Sequence, residues 1–253
     1  MHNLKSTFSG IYAESYDQIY ASLNPEDELG QAEEFCGDAI QNPTTVIDIG
    51  GGTGRFSKIL SEKYQQVYLV EPSPDMTLIA SSKIGNLGNI RIVNESAQRF
   101  QIPLLAGGSY LMFSVASYFS SPKIFIDAMR NIFSNLSSGS YIYFDVWGNS
   151  DSSLPMIKPS VRSFTHNNSN YQREVNAKPN SIVEHDPGFH SLEMQIAFKN
   201  ISTGVNYEEC HELAIISETW IRNFSLKETR IDSTKIRLNP NKPNNLEVCI
   251  TLN

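Results

Sequence analysis

The most constraining stretch of the chain is Val46 to Ser57, where Val46-Ile47-Asp48-Ile49 runs directly into Gly50-Gly51-Gly52-Thr53-Gly54 and then Arg55-Phe56-Ser57. Glycines at the end of an apolar strand allow backbone conformations and close approaches that a Cβ would forbid, so peptide groups can lie against a ligand. The pattern from Arg55 to about Tyr64 predicts a helix whose amide-rich N-terminus points at the same place. Strand, glycine turn and helix in this order make a nucleotide-type site. They commit the chain to an α/β architecture with its ligand off the carboxyl ends of parallel strands.

Spacing narrows the ligand. The dinucleotide fingerprint G-x-G-x-x-G, started at Gly50, would place its third glycine at Arg55, and no Gly-Lys-Ser/Thr exists for a P-loop. Asp48 would repel a diphosphate and favours a ligand carrying a cation or amine; S-adenosylmethionine has both a sulfonium and an ammonium. Asp48-x-Gly50-x-Gly52-x-Gly54 resembles the first motif of the class I S-adenosylmethionine-dependent methyltransferases. The next strand, Gln66 to Val70, ends at Glu71, 21 residues beyond Gly50, a spacing that suits a carboxylate accepting both ribose hydroxyls. Pro72-Ser73-Pro74-Asp75-Met76 then opens a helix with Ser73 as N-cap and Met76 as an apolar contact for adenine, and it is similar to the family's acidic-x-Ser-x-x-Met.

Asn89 to Val93 reads as a third strand. After it the family usually has Gly-Asp-Ala; here Ser96-Ala97 stands in that place, either touching adenine or forming an ordinary turn. Ser109 to Phe119 supplies a fourth strand and the loop beyond it, and Tyr141 to Gly148 a fifth. The cofactor contacts expected are Asp48, Gly50, Gly51, Gly52, Glu71, Pro72, Met76, Ser96, Ala97, Phe113 and Tyr16.

Residues Phe8 to about Gly37 look helical, with Tyr12, Tyr16 and Tyr20 on one face. That stripe is either core packing or a lid over the cofactor. Beyond Asn149 the chain turns Ser-, Asn- and Pro-rich, and then short segments alternate with period 2, as in Leu192, Met194, Ile196 and Phe198. Tyr171 to Val175, Ile182 to His185 and Tyr207 to Ile216 read as further strands, Ser217 caps a helix, and Leu226 to Ile231 and Leu246 to Leu252 read as two last strands. The expected fold is a Rossmann-like, doubly wound, mostly parallel seven-stranded α/β sheet with an inserted antiparallel β cap. Within one domain, residues 1–40 form a helical lid, 41–150 the cofactor-binding core, 151–216 the cap and 217–253 the end of the core.

Phe8-Ser9-Gly10 with Tyr16-Asp17, Met112-Phe113-Ser114, Phe144-Asp145-Val146-Trp147, Pro159-Ser160-Val161-Arg162 and Glu208 to Leu213 resemble small-molecule methyltransferases. The nearest group is the N-methyltransferases of nucleotide-linked aminosugars. The resemblance implies an N-terminal Tyr and a His after the fourth strand near the amine; the matching positions here are Phe8 and Tyr118. A neutral amine attacks a sulfonium methyl directly, whereas a sugar hydroxyl needs a general base. His211 is the first candidate, on the buried face of its strand with Glu209, Leu213 and Ile215, and its alternative is a satisfied core histidine. Tyr118 is the second, its alternative an aromatic pocket wall. His190 and Arg173 either hold a phosphate or carboxylate of the substrate or are surface residues. Asp145 either touches the acceptor or caps a turn.

Composition sets the partners. Lys+Arg 20 against Asp+Glu 27 gives a net charge of −7, with no basic run interleaved with aromatics, so nucleic acid is an unsuitable partner and a small-molecule substrate is expected. Cys36, Cys210 and Cys249 are too few and too scattered for a disulfide framework or zinc site, and read as buried inert thiols; no metal is expected. No leader-like or membrane-spanning apolar run is present, so the expectation is a cytoplasmic protein with no membrane partner. A homodimer stays open, as does a protein that binds the cofactor without catalysis; an NAD-dependent dehydrogenase is a further alternative, against which Arg55 counts.

Overall fold

The computed structural model describes residues 7–149, 159–179 and 186–253. The N-terminal helical stretch is two helices, α1 (Gly10–Ile19) and α2 (Pro25–Cys36), rather than one. The break has a local cause: Asn24 accepts the Glu26 N–H through its side chain, and Pro25, which has no N–H to lose, occupies the first turn of α2. The core then alternates as β1 (Thr45–Ile49), α3 (Arg55–Lys63), β2 (Gln66–Val70), α4 (Pro74–Ile84), β3 (Ile90–Val93), β4 (Ala106–Leu111), α5 (Pro122–Ser134) and β5 (Leu136–Trp147). Ser73 and Ser121 accept the Met76 and Ile124 amides as N-caps of α4 and α5, each worth about 1 kcal/mol.

The antiparallel part comprises β6 (Ser160–His166), β7 (Ser169–Pro179), β8 (Phe189–Asn200) and β9 (Asn206–Ile216). Then follow α6 (Glu218–Lys227), β10 (Ile231–Leu238) and β11 (Asn245–Leu252). The strand expected over Leu226 to Ile231 is misplaced: α6 runs to Lys227, and Leu226 is a surface residue of that helix. The expected strand Ile182 to His185 lies outside the described residues.

The large sheet has the order β10-β11-β5-β4-β1-β2-β3. Strands β1 to β5 pair in parallel, β11 runs antiparallel to β5, and β10 antiparallel to β11, which leaves β11 as the one reversed strand. One face is covered by α2, α3 and α4, with Leu29, Phe35, Leu60 and Ala80 packed on Val46, Leu69 and Tyr110. The other is covered by α5 and α6, with Phe125, Met129, Trp220 and Phe224 on Phe144, Val146 and Val248. Each of the buried Val, Leu, Met and Phe side chains contributes on the order of 1.5–3 kcal/mol of burial.

The second sheet, ordered β6-β7-β8-β9, packs its apolar face against α1. Leu192, Met194, Ile196, Phe198, Leu213 and Ile215 meet Tyr12 and Ile19 there. The period-2 alternation and the tyrosine stripe therefore belong to one interface, between cap and lid. Among the described residues no helix is long and apolar enough to cross a membrane.

Candidate active site

The glycine loop leaves β1 between β2 and β4, where the strand order reverses. The Gly50 and Gly51 N–H groups donate to Val70 O at 2.7 and 3.2 Å, which ties the loop to the end of β2. Gly50 and Gly54 have φ of 68° and 85°, and a Cβ on them would strike Val115 and Ile84; one on Gly51 would strike Leu69. Gly52 differs. Its φ is 56°, yet a Cβ there would meet only Gly50 O at 3.9 Å, so this glycine borders open space. That is the cradle a ligand could fill.

Glu71 follows β2 directly and is buried. Its carboxylate accepts the Gly52 N–H at 3.0 Å and the Ser73 N–H at 2.8 Å, and burial, only partly offset by these bonds, pushes it up to about 7. Asp48 is also raised to about 7 by burial, with Ser57 opposing the shift through a 2.6 Å bond. Its carboxylate is turned beneath the loop to the first turn of α3, so it braces the loop. Two buried carboxylates that have no ion-pair partner among the described residues favour a ligand that brings hydroxyl donors and positive charge. Those are features of S-adenosylmethionine, and the loop, the acid and the cradle fit that group.

The remaining expected contacts gather at the same edge. Met76 is buried in the first turn of α4, whereas the Pro72 ring is exposed. Ser96 and Ala97 begin a turn whose Ser96 carbonyl accepts the Arg99 and Phe100 amides at 3.0 Å. Phe113 and Ser114 at the end of β4 have φ of 64° and 60°, a strained pair for side chains of this size. Asp145 holds them there. It accepts the Ser114 N–H at 2.8 Å and Ser114 Oγ at 2.9 Å, with Asn245 Nδ2 at 3.0 Å, so it clamps a turn. Burial raises the Tyr16 phenol well above the usual range, and the Tyr20 phenol and the Glu71 charge add to the shift.

The segment Phe8 to Tyr20 closes over this edge through named bonds. Thr53 Oγ1 donates to Asp17 at 2.6 Å, Arg55 Nη2 donates to Leu23 O at 2.7 Å, and Lys83 pairs with Asp17. Gly10 N–H donates to Asp75 at 2.7 Å, and Ser73 Oγ to Phe8 O at 2.7 Å. From the cap, Glu209 accepts the Phe8 and Ser9 N–H groups, both at 2.8 Å, and Tyr207 Oη at 2.7 Å.

His211 is fully buried with both ring nitrogens used: Nε2 lies 2.8 Å from Glu209 Oε2 and Nδ1 lies 3.1 Å from Tyr118 Oη. Burial works against ionisation of Glu209, but bonds from His211, Ser9, Tyr207 and Phe8 hold its carboxyl below the ordinary range. An ionised carboxylate only accepts, which puts a proton on Nε2; in the tautomer where that is the ring's one proton, Nδ1 accepts the Tyr118 O–H. The two catalytic candidates are thus one chain, and the half-buried Tyr118 is its outer end. Burial raises the Tyr118 phenol well above its usual range.

Several placements were not legible in the sequence. Glu209 shares the His211 face, so its proximity carried a signal, but its grip on the amides of Phe8 and Ser9 did not. Arg173 is buried beneath Tyr12 and Tyr20 instead of lying on the surface. Cys210, between Glu209 and His211 on a strand, faces outward and is exposed, while Cys36 and Cys249 are buried. A cleft of about 580 Å³ lined by Cys36, Asp38, Gly139, Lys235 and Thr251 lies at the opposite end of the sheet, near the start of β5, and takes no part in the site.

Comparison with known proteins accords with this fold. The model of a family described as methyltransferase domain matches residues 24–186. An uncharacterized methyltransferase from Exiguobacterium sibiricum is 33% identical over 79 residues, 30% of this chain and 37% of that protein, so the match spans well under half of the relative. The structure of a sugar N-methyltransferase from a Streptoalloteichus species superposes with a TM-score of 0.73 at 14% identity, covering 100% of this chain and 99% of that one. An amino pentose methyltransferase from Micromonospora echinaspora, solved with S-adenosylmethionine bound, gives 0.69 at 12% identity, covering 96% and 98%. At these identities the structural likeness establishes the fold.

Proposed function

The chain belongs to the methyltransferase-domain family, and from that premise we propose that it transfers the methyl group of S-adenosylmethionine to an amine or hydroxyl of a small polar metabolite. Nucleotide-linked aminosugars are the first acceptor class to test. The observation that carries the reading is the buried Glu71 carboxylate at the lip of a glycine loop whose Gly52 borders open space.

When bound, S-adenosylmethionine supplies a methyl carbon already activated by the adjoining sulfonium. The protein's part is therefore mostly positioning. Glu71 would receive the ribose hydroxyls, the open side of Gly52 would admit the ligand against the backbone, Met76 and the Ser96-Ala97 turn would border the base, and Phe113 and Tyr16 would close the sides. Asp48 acts through the loop it braces.

On the acceptor side we assign Tyr118 as the contacting group and His211 and Glu209 as positioning residues. With its own proton directed at His211 Nδ1, Tyr118 Oη offers lone pairs to an N–H or O–H of the acceptor. For a hydroxyl acceptor, the acceptor's proton passes to Tyr118 Oη while the Tyr118 proton passes to His211 Nδ1. The resulting imidazolium lies against the ionised Glu209, so no phenolate has to form in the buried site.

The test is incubation of the purified protein with S-adenosylmethionine and a panel of amine and hydroxyl acceptors that includes nucleotide-linked aminosugars. S-adenosylhomocysteine formation and a methyl gain in the acceptor by mass spectrometry are the readouts. Tight cofactor binding with no methylated product across the panel would favour a non-catalytic cofactor-binding protein.

A further inference from the structure

Arg173 sits in the middle of β7, opposite Phe198 of β8 and on the same buried face as Val175. Only 7% of its surface is exposed. Its guanidinium carbon lies 5.6 Å from the centre of the Tyr12 ring and 5.8 Å from that of Tyr20, between cap and lid. Nη2 reaches Tyr12 Oη at 3.5 Å and Tyr20 Oη at 3.3 Å, both long for bonds from a cation. Nε is buried with no hydrogen-bond partner among the described residues.

Other arginines of the fold show what a structural guanidinium obtains. Arg55 donates to Leu23 O at 2.7 Å, Arg230 to Phe133 O at 2.7 Å, and Arg237 to the Glu247 carboxylate at 2.6 Å. Arg173 has no such partner among the described residues, although it is the most deeply placed of the four. Burial holds the Tyr12 and Tyr118 phenols protonated, so neither brings negative charge to it. Glu209, which acts with Arg173 on Tyr118, is committed to Phe8, Ser9, Tyr207 and His211. A buried cation with an orphaned Nε and a weakly engaged Nη2 presents the planar two-donor edge that fits a carboxylate or phosphate.

We infer that Arg173 is the anion-recognition residue of the acceptor pocket, and that the acceptor carries an oxyanion clamped by Nε and Nη2 beneath Tyr12 and Tyr20. The inference rests on reading the lid–cap enclosure as the acceptor site. It makes charge the selector: a neutral acceptor leaves the guanidinium unpaired and is rejected, while an amine or hydroxyl bearing a phosphate or carboxylate is drawn in with its nucleophile toward Tyr118.

The test is calorimetric titration of the protein, saturated with S-adenosylhomocysteine, with inorganic pyrophosphate and separately with malonate in low-chloride buffer. Wild type, Arg173→Gln and Arg173→Lys are compared. The expected result is binding of at least one anion to wild type, weakened roughly 10- to 100-fold in Arg173→Gln, with S-adenosylhomocysteine affinity within about twofold in every variant. Binding of pyrophosphate alone assigns the oxyanion to a phosphate, and binding of malonate alone to a carboxylate. Failure of both anions to bind wild type, or equal affinity in Arg173→Gln, overturns the inference. If thermal melting shows Arg173→Gln unfolded, Arg173→Lys decides: it keeps the charge without the fork, so a loss of about tenfold supports the clamp and unchanged affinity refutes it. Should S-adenosylhomocysteine itself fail to bind, the cofactor reading falls, and the anion titration run without it still decides the role of Arg173.

Discussion

Replacing Glu71 by Gln separates the cofactor account from a merely structural role for this acid. Both carboxylate oxygens already accept backbone N–H groups, from Gly52 at 3.0 Å and Ser73 at 2.8 Å, so an amide would turn its NH2 against one of those donors. It would also lose the charge that strengthens bonds from the ribose hydroxyls. At about 1.5–3 kcal/mol per bond to a charged group, a net loss of about 2–3 kcal/mol follows, or roughly 30- to 150-fold in S-adenosylmethionine affinity. Turnover at saturation changes little, because the ribose is held equally in ground and transition states.

The same residue carries a pH signature. Burial lifts the Glu71 carboxyl from 4.5 to about 7, so the folded ligand-free protein holds this proton more tightly than the unfolded chain does. Its contribution to stability is therefore full below about pH 4.5 and is lost as pH rises through 7, a total of about 3 kcal/mol. Thermal melts of wild type and variant between about pH 4.5 and 8, taken as a difference, check the slope, which includes the repulsion between Glu71 and Asp48 that the substitution removes. Calorimetry at about pH 8, above the carboxyl's pKa, gives the affinity. An affinity within threefold of wild type together with a flat melting difference would refute the reasoning.

Gly52→Val tests the cradle: the left-handed backbone costs on the order of 1–2 kcal/mol, yet the branched side chain projects into ligand space, so the protein stays folded by circular dichroism while cofactor binding is abolished. Unchanged affinity would move the site elsewhere. Tyr118→Phe removes the outer group of the relay and should lower kcat for a hydroxyl acceptor by roughly 10²–10⁴ with cofactor affinity intact, and less for an amine; equal turnover on both would leave Tyr118 a pocket wall. Glu209→Gln weakens the bonds that hold Phe8 and Ser9, so hydrogen exchange over residues 8–20 should accelerate by about tenfold or more. Exchange identical to wild type would mean that the lid is held by Asp75, Asp17 and Ser73 alone.

How far the sequence could be read depended on how local each cause is. The glycine loop, the Ser73 cap and the acid after β2 are set by neighbours in the chain, and the structure has them in the expected elements. The same holds for the alternation of β8 and β9, because a half-buried sheet writes its two faces into consecutive residues. Non-local geometry was not legible. Nothing near Asp145 in sequence signals the left-handed Phe113-Ser114 turn it clamps, and nothing near Arg173 signals tyrosines about 150 residues earlier. His211 and Tyr118 were each identifiable as candidates, but their joining through Nδ1 needed the three-dimensional placement. The misplaced β10 followed from an apolar residue, Leu226, that the last turn of α6 leaves in solvent. The exposed Cys210 is a consequence of the same alternation that buries His211.

The central claim is that the loop from Gly50 to Gly54 with Glu71 is built for S-adenosylmethionine and not for a dinucleotide. Parallel calorimetric titrations of the purified protein with S-adenosylmethionine and with NAD measure this directly. The account predicts saturable heat with S-adenosylmethionine and none with NAD; silence with the first and heat with the second would contradict it.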